Sequence, residues 1–253
     1  MIIIVTGVTA GFGKAIAINC INSGHTVIGT GRRANKLAEL QEHFAAQGAG
    51  ERFIPLCFDI GDVAATKAAL DSLPKQLLDN VDVLINNAGL ALGLESADKA
   101  DINDWQTMIN TNTLGLVNMT HQILPLMVAK DDGLVINISS TAGNYPYFGA
   151  NVYGATKAFV TQFSLNLRAD LLGKKVRVTN IEPGLCGGTE FSNVRFHGDD
   201  ERASKVYENV EFIRPEDIAN MVSWLISQPK HININRLEVM PTAQTFAGLT
   251  VAR

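Results

Sequence analysis

Tyr153 and Lys157 stand four positions apart in Tyr153-Gly154-Ala155-Thr156-Lys157, a spacing that puts both side chains on one helix face about a turn apart. A free tyrosine titrates near pH ~10, too high for a base at neutrality, and a neighbouring ammonium favours the phenolate. Such a pair suits the removal of a proton from a hydroxyl, or its return. A second chemical signal lies near the start of the chain, in Thr6-Gly7-Val8-Thr9-Ala10-Gly11-Phe12-Gly13. Glycine there permits a tight turn, close approach of the backbone to a pyrophosphate and close packing of helix on strand. The helical N–H groups that follow face phosphate charge, so the segment reads as a dinucleotide-binding turn.

Both signals need a scaffold, and the hydrophobic rhythm supplies one. β-rich runs are expected at Ile2–Thr6, Thr26–Gly31, Phe53–Asp59, Val81–Asn86, Leu134–Ser139, Val176–Glu182 and Ile234–Val239. They are nearly continuous in Val, Ile and Leu, as strands buried on both faces are. Helical period falls between them, at Gly13–Asn22, Lys36–Gln47, Val63–Ser72, Ile102–Val128, Val152–Leu172 and Pro215–Ser227. This alternation predicts an α/β fold, a single-domain, doubly wound Rossmann sheet of seven parallel strands with helices on both faces, over residues 1–253. The segment from about Gly187 to Phe212 has no clear period, and its place after the sixth strand predicts a lid over the carboxyl ends of the strands.

With 46% apolar and 18% charged residues, the chain is too apolar to be disordered and can bury a full core. A net charge of −4 without a basic run disfavours nucleic acid. No apolar stretch approaches the roughly 18 residues that span a bilayer, and Met1–Val5 carries no basic leader, so a soluble, unprocessed chain is expected. Cys20, Cys57 and Cys186 form no close pair and suit a reducing cytoplasm. The five histidines lack metal-ligand spacing, so no metal is expected.

The turn's Gly-xxx-Gly-x-Gly spacing resembles the short-chain dehydrogenase/reductases, and further motifs of that family occur in order: Asn86-Asn87-Ala88-Gly89, Ser139-Ser140, the Tyr153/Lys157 pair, Pro183-Gly184, and Thr189. The resemblance implies hydride transfer with Tyr153 as base, Ser140 bonding the substrate oxygen, Lys157 also bonding the nicotinamide ribose, and Asn112 helping to hold a relay water. Asn110 is the weaker occupant of that last role, and strand alternation points Ser139 elsewhere than Ser140. The implied cofactor contacts are Gly7, Thr9, Gly11, Phe12, Gly13, Asp59, Ile60, Asn86, Ala88, Gly89, Pro183, Gly184 and Thr189, with Tyr153 and Lys157.

At the end of the second strand an NAD-preferring enzyme places an acid that bonds the ribose 2′-hydroxyl. This chain has Gly31-Arg32-Arg33 instead. A guanidinium bonds a 2′-phosphate with two donors and stacks on adenine, so NADP is the expected cofactor, held by Arg32 and Arg33.

The stretch Ile181–Asp200, with Asn144-Tyr145-Pro146-Tyr147 and the ending Asn233-Ile234-Asn235 through Ala247-Gly248-Leu249, resembles the NADP-dependent 3-hydroxy acid dehydrogenases, also called L-allo-threonine or serine dehydrogenases. The implied substrates are serine, L-allo-threonine, 3-hydroxyisobutyrate and 3-hydroxypropionate, or in reverse a semialdehyde. A small anion needs a cation, and Arg195 is the candidate clamp, with Lys205 weaker and Tyr147 and Phe191 as walls. Trp105 reads as interface or core. The long helices imply, through the same resemblance, a homotetramer, while the sequence alone equally allows a monomer with a larger core. Two other readings stand beside this one: a broad NADPH carbonyl reductase of uncharged ketones, and a non-catalytic NADP sensor, disfavoured by the intact Tyr153 and Lys157.

Overall fold

A computed structural model describes residues 1–246, so Ala247-Gly248-Leu249 lies outside the described residues. The strands are β1 (Ile2–Thr6), β2 (Thr26–Gly31), β3 (Phe53–Cys57), β4 (Val81–Asn86), β5 (Gly133–Ile138), β6 (Val176–Pro183) and β7 (Arg236–Val239). All pair in parallel, in the order β3-β2-β1-β4-β5-β6-β7. The order reverses between β1 and β4, and a crevice opens there at the carboxyl ends.

The covering helices are α1 (Gly11–Asn22), α2 (Ala34–Ala46), α3 (Val63–Asp71), α4 (Lys75–Asp79), α5 (Ile102–Ile109), α6 (Leu116–Lys130), α7 (Asn151–Asp170), α8 (Phe191–Arg195), α9 (Asp200–Lys205) and α10 (Pro215–Ser227). Ile3, Val5, Ile16, Phe44, Ile218 and Val222 belong to one buried cluster, which joins the sheet to α1, α2 and α10. On the opposite face Ile4, Leu84, Met119, Ile123, Leu167 and Val178 join it to α6 and α7. Adjacent residues of one strand thus enter different clusters, which is why both faces of the strands are apolar.

Several boundaries differ from the sequence expectation. The helix expected over Ile102–Val128 is broken by a π-helical turn, Asn110–Gly115, and α6 then runs on to Lys130 through Pro125. The seventh strand begins at Arg236 because the Asn233 side chain takes the role of strand backbone. It accepts from Val178 N at 2.7 Å and donates to Val178 O at 2.9 Å. Helix α4 was not expected, since five residues are too few to display a helical period. The segment from Gly187 to Phe212, expected to be an aperiodic lid, is not aperiodic either: it holds α8 and α9, seated by buried Phe196 and Ala203.

Candidate active site

The glycine turn is built as the spacing requires. Gly7 has φ +73°, where a side chain is strained, and a Cβ on Gly13 would lie 2.2 Å from the Gly7 carbonyl oxygen. Neighbouring β4 fixes the turn: Asn87 Nδ2 donates to Thr6 O at 2.8 Å, and Thr6 Oγ1 accepts from the N–H groups of Asn87 and Ala88 at 3.0 and 2.9 Å. Ala10 at the N-cap of α1 brings no side-chain acceptor, which leaves the first N–H groups of the helix to a ligand.

From this turn a cleft of about 390 Å³ runs across the carboxyl ends of the strands. At the end where the sequence places the glycine turn and the adenosine half of a dinucleotide stand Gly7, Thr9, Gly11 and Phe12, with Arg32, Arg33, Asp59 and Ile60. Its middle and far end are formed by Ala88, Gly89, Ser140, Tyr153, Lys157, Pro183, Gly184 and Thr189. A wider hollow of about 850 Å³ behind the lid, between α1, α2 and α9, holds none of the Tyr153, Lys157 and Ser140 chemistry.

Two residues expected at the cofactor stand elsewhere. Asn86 points into the sheet's polar interior, donating to Asn137 Oδ1 at 2.9 Å and Thr120 Oγ1 at 3.0 Å, because alternation along β4 sends it away from the crevice. Asn87, its neighbour in the same motif, lines the cleft instead. Gly13 lies behind the turn, packed on Gly7 and Asn87.

The adenosine end is shaped against an acid. A Cβ on Gly31 would come within 2.6 Å of Thr9 Cγ2, so no carboxylate-bearing side chain fits there without moving Thr9. Arg32 pairs with Asp59 at 3.4 Å and Arg33 with Glu190 at 2.9 Å. Glu190 immediately precedes α8 and has no signal in the sequence to single it out.

At the other end, Tyr153 is buried on α7 against Phe191, ring centroids 5.9 Å apart. Burial raises its phenol above the ordinary tyrosine range, the Tyr147 phenol adds to this, and the Ser140 hydroxyl and Arg195 guanidinium pull it down. Lys157 was expected to be the lowering influence; its Nζ lies 5.8 Å from the Tyr153 ring centroid and donates to Ile138 O at 3.0 Å. Burial lowers Lys157 itself to about 8. Ser140 caps the short turn Thr141–Gly143, its Oγ accepting from Ala142 N at 3.1 Å and donating to Pro183 O at 3.3 Å.

Asn112 does not line the cleft; the π-helical turn swings it into the interior while Asn110 stays exposed. Its Oδ1 accepts from Leu90 N at 2.9 Å, and its Nδ2 donates to Leu90 O at 2.8 Å and Thr156 Oγ1 at 3.0 Å. It therefore ties the loop after β4 to α7, directly behind Gly89, where a Cβ would lie 3.2 Å from Asn112 Oδ1 and 3.3 Å from Lys157 Nζ.

A buried polar network seats α7 more deeply. Fully buried Glu182 accepts from Arg236 at 2.9 and 2.7 Å, from Asn180 at 2.6 Å and from Thr161 at 3.2 Å. Thr161 Oγ1 meets Ser139 Oγ at 3.1 Å, and Ser139 donates to Lys157 O at 2.7 Å. The two adjacent serines thus divide: Ser140 meets the cleft chemistry while Ser139 holds the backbone beneath Lys157.

The segment after β6 reaches this end through α8, whose Phe191 and Val194 line the cleft. Arg195 and Gly93 exchange two bonds, Gly93 N to Arg195 O at 2.9 Å and Arg195 Nε to Gly93 O at 3.1 Å. Arg195 Nη2 donates to Tyr147 OH at 3.2 Å, and the guanidinium lies 5.6 Å from the Tyr147 ring and 5.8 Å from the Tyr153 ring. Lys205 pairs with Glu201 on its own helix at 2.6 Å and does not line the cleft. Trp105 packs against the small cluster of Ala91, Met108, Ala142 and Tyr153, its Nε1 donating to Asn151 Oδ1 at 3.1 Å, so it serves the packing beneath α7 and does not line the cleft.

Comparison with known proteins agrees with this fold. The family model for short chain dehydrogenase matches residues 1–199. The "Probable NADP-dependent dehydrogenase" of Haemophilus influenzae is 64% identical over 250 residues, covering 99% of this chain and 97% of that protein. The "NADP-dependent 3-hydroxy acid dehydrogenase YdfG" of Salmonella typhi is 56% identical with both chains covered in full. Among solved structures, the closed form of serine dehydrogenase complexed with NADP+ superposes with a TM-score of 0.96 at 55% identity, covering 100% of each chain. An oxidoreductase follows from the family match, and the chain belongs to the short chain dehydrogenase family.

Proposed function

We propose that this protein uses NADP to oxidise the 3-hydroxyl of small 3-hydroxy acids, among them serine, L-allo-threonine, 3-hydroxyisobutyrate and 3-hydroxypropionate, or reduces the corresponding semialdehyde. The observation that carries the reading is the guanidinium of Arg195, which is not itself part of the cleft lining but lies 5.8 Å from the ring of Tyr153, a residue that is. Its Nη1 has no hydrogen-bond partner among the described residues, which leaves donors for a carboxylate. The names of the relatives support the same substrate class.

The cleft fits the cofactor. The glycine turn admits a pyrophosphate, Gly31 admits no acid, and Arg32 and Arg33 stand where a 2′-phosphate needs cations. Bound NADP+ supplies the hydride acceptor. Ser140 holds the substrate oxygen, and Tyr153 takes the hydroxyl proton as a general base, or returns it in reduction. Lys157 holds positive charge beside the phenol and bonds the nicotinamide ribose. Asn112 positions the loop after β4 and the first turn of α7, and with them the relay of the proton to water. Arg195 orients the substrate by its carboxylate, with Tyr147 and Phe191 as walls. A 3-oxo acid product loses its carboxylate as CO2, which pulls oxidation forward.

The test is an initial-rate panel following NADP+ reduction with the four 3-hydroxy acids, repeated with NAD+. Turnover of at least one acid, faster with NADP+, is expected; no turnover of any overturns the proposal, and turnover of uncharged ketones alone leaves the carbonyl reductase.

We further read the protein as a homotetramer of the cytoplasm. Ile109, Leu114 and Phe159 leave 42–46% of their surface exposed around α5, α6 and α7, which supports burial between copies. No helix of the described residues is long and apolar enough to cross a membrane. Light scattering that gives a monomer overturns the tetramer.

A further inference from the structure

Glu190 lies on the lid next to Thr189, and its carboxylate reaches across the mouth of the cleft to Arg33, accepting from Nη1 at 2.9 Å. The rest of that guanidinium belongs to Thr9: Nε and Nη2 donate to Thr9 Oγ1 at 3.3 and 3.1 Å, and Nη2 to Thr9 O at 3.2 Å. Arg33 is thus locked between the glycine turn and the lid. Four of its five N–H donors are spent on these two partners before any ligand arrives, and the fifth shares Nη1 with the Glu190 bond.

The second cation is held differently. Arg32 meets Asp59 at a looser 3.4 Å, and Asp59 is itself fixed by accepting from Gly61 N at 2.9 Å. The Glu190 carboxylate makes no other side-chain bond among the described residues and is half exposed, with 52% of its side-chain surface accessible. Of the two acids at this end, Glu190 alone is short-bonded to an arginine and otherwise unanchored.

We propose that Glu190 is a cofactor-selectivity residue, whose carboxylate competes with the 2′-phosphate of NADP for Arg33. This rests on the NADP reading given above. A phosphate carries two negative charges and seeks the same donors. It must either displace the carboxylate or settle beside it as a like charge, and both weaken binding. NAD presents a neutral hydroxyl there and leaves the Arg33–Glu190 pair intact. Glu190 therefore narrows the preference that Arg32 and Arg33 create, and keeps NADP from binding as tightly as two free guanidinium groups would hold it.

Calorimetric titration of the whole protein with NADP+, NAD+, 2′,5′-ADP and 5′-AMP tests this, in wild type, Glu190→Gln, Arg33→Gln and the double variant. Because exposed ion pairs are weak, Glu190→Gln is expected to tighten NADP+ and 2′,5′-ADP about two- to fivefold and leave NAD+ and 5′-AMP unchanged. In the Arg33→Gln background the same substitution is expected to change nothing. Unchanged or weaker NADP+ binding in Glu190→Gln overturns the proposal, as does equal tightening of NAD+, which would place the carboxylate's effect on the pyrophosphate. A wild-type protein that binds NAD+ as tightly as NADP+ overturns the cofactor reading itself, whatever Glu190 does.

Discussion

Lys157 Nζ donates to the carbonyl oxygen of Ile138 at 3.0 Å, joining the reactive turn of α7 to the last residue of β5. The ammonium is buried, and that one bond does not replace its lost hydration, so its pKa falls to about 8. The folded chain therefore holds the Lys157 proton less firmly than the unfolded chain.

The sign of the linkage follows. Below pH 8 both states carry the proton and the native state bears the full desolvation cost, of order 3 kcal/mol at about 1.4 kcal/mol per unit. That cost fades as pH rises from about 8 towards the ordinary lysine value. Lys157→Met is expected to stabilise the free protein at pH 7 by about 1–3 kcal/mol in urea unfolding while lowering kcat at least ~100-fold. A destabilised variant contradicts the assignment of burial as the dominant cost.

Tyr153→Phe removes the phenol and keeps the ring against Phe191. It is expected to lower kcat about 10²- to 10⁴-fold with the Kd for NADP+ within about twofold. Because burial holds the phenol above its ordinary range in the free protein, oxidation by wild type is expected to accelerate with rising pH until the base is ionised. A pH–rate profile flat from 6 to 10 contradicts Tyr153 as the base.

Arg195→Gln separates the anionic from the neutral substrate class. Loss of a charge-assisted carboxylate bond worth about 1.5–3 kcal/mol raises KM for 3-hydroxy acids roughly 10- to 100-fold. Uncharged ketones gain nothing from the guanidinium, and their KM is expected to stay within about twofold. Equal effects on both classes would assign Arg195 to lid closure through Gly93.

The three cysteines differ by environment. Burial pushes the thiols of Cys20 and Cys186 up to about 12, whereas Cys57 is exposed beside Arg32, its Sγ donating to Arg32 O at 3.7 Å. A colorimetric disulfide reagent at pH 8 is expected to modify one thiol per native chain quickly and all three in denaturant. Saturating NADP+ is expected to slow the fast thiol, since Cys57 borders the adenosine end.

The order of β-runs and helical runs was readable because strands buried on both faces are continuously apolar and because a phosphate-binding turn tolerates little but glycine. What the chain conceals are breaks inside a period. Residues Ile102–Val128 carry one helical pattern, yet the π-helical turn at Asn110–Gly115 arises from contacts of Asn112 with Leu90 and Thr156, far away in sequence. Asn86 and Asn87 look interchangeable as letters; the pleat of β4 sends one into the sheet and the other into the cleft.

By itself the sequence determined the sheet, its crevice and the residue types of the chemistry, since periodicity, glycine spacing and the Tyr153/Lys157 interval are local properties. Only the tertiary structure decided how those groups are charged and held. Burial, not Lys157, dominates the Tyr153 phenol; Arg195 is brought beside it by the Gly93 backbone; and Glu190 meets Arg33 across 157 positions. Desolvation and long-range pairing depend on which surfaces meet, and no spacing along a chain encodes that.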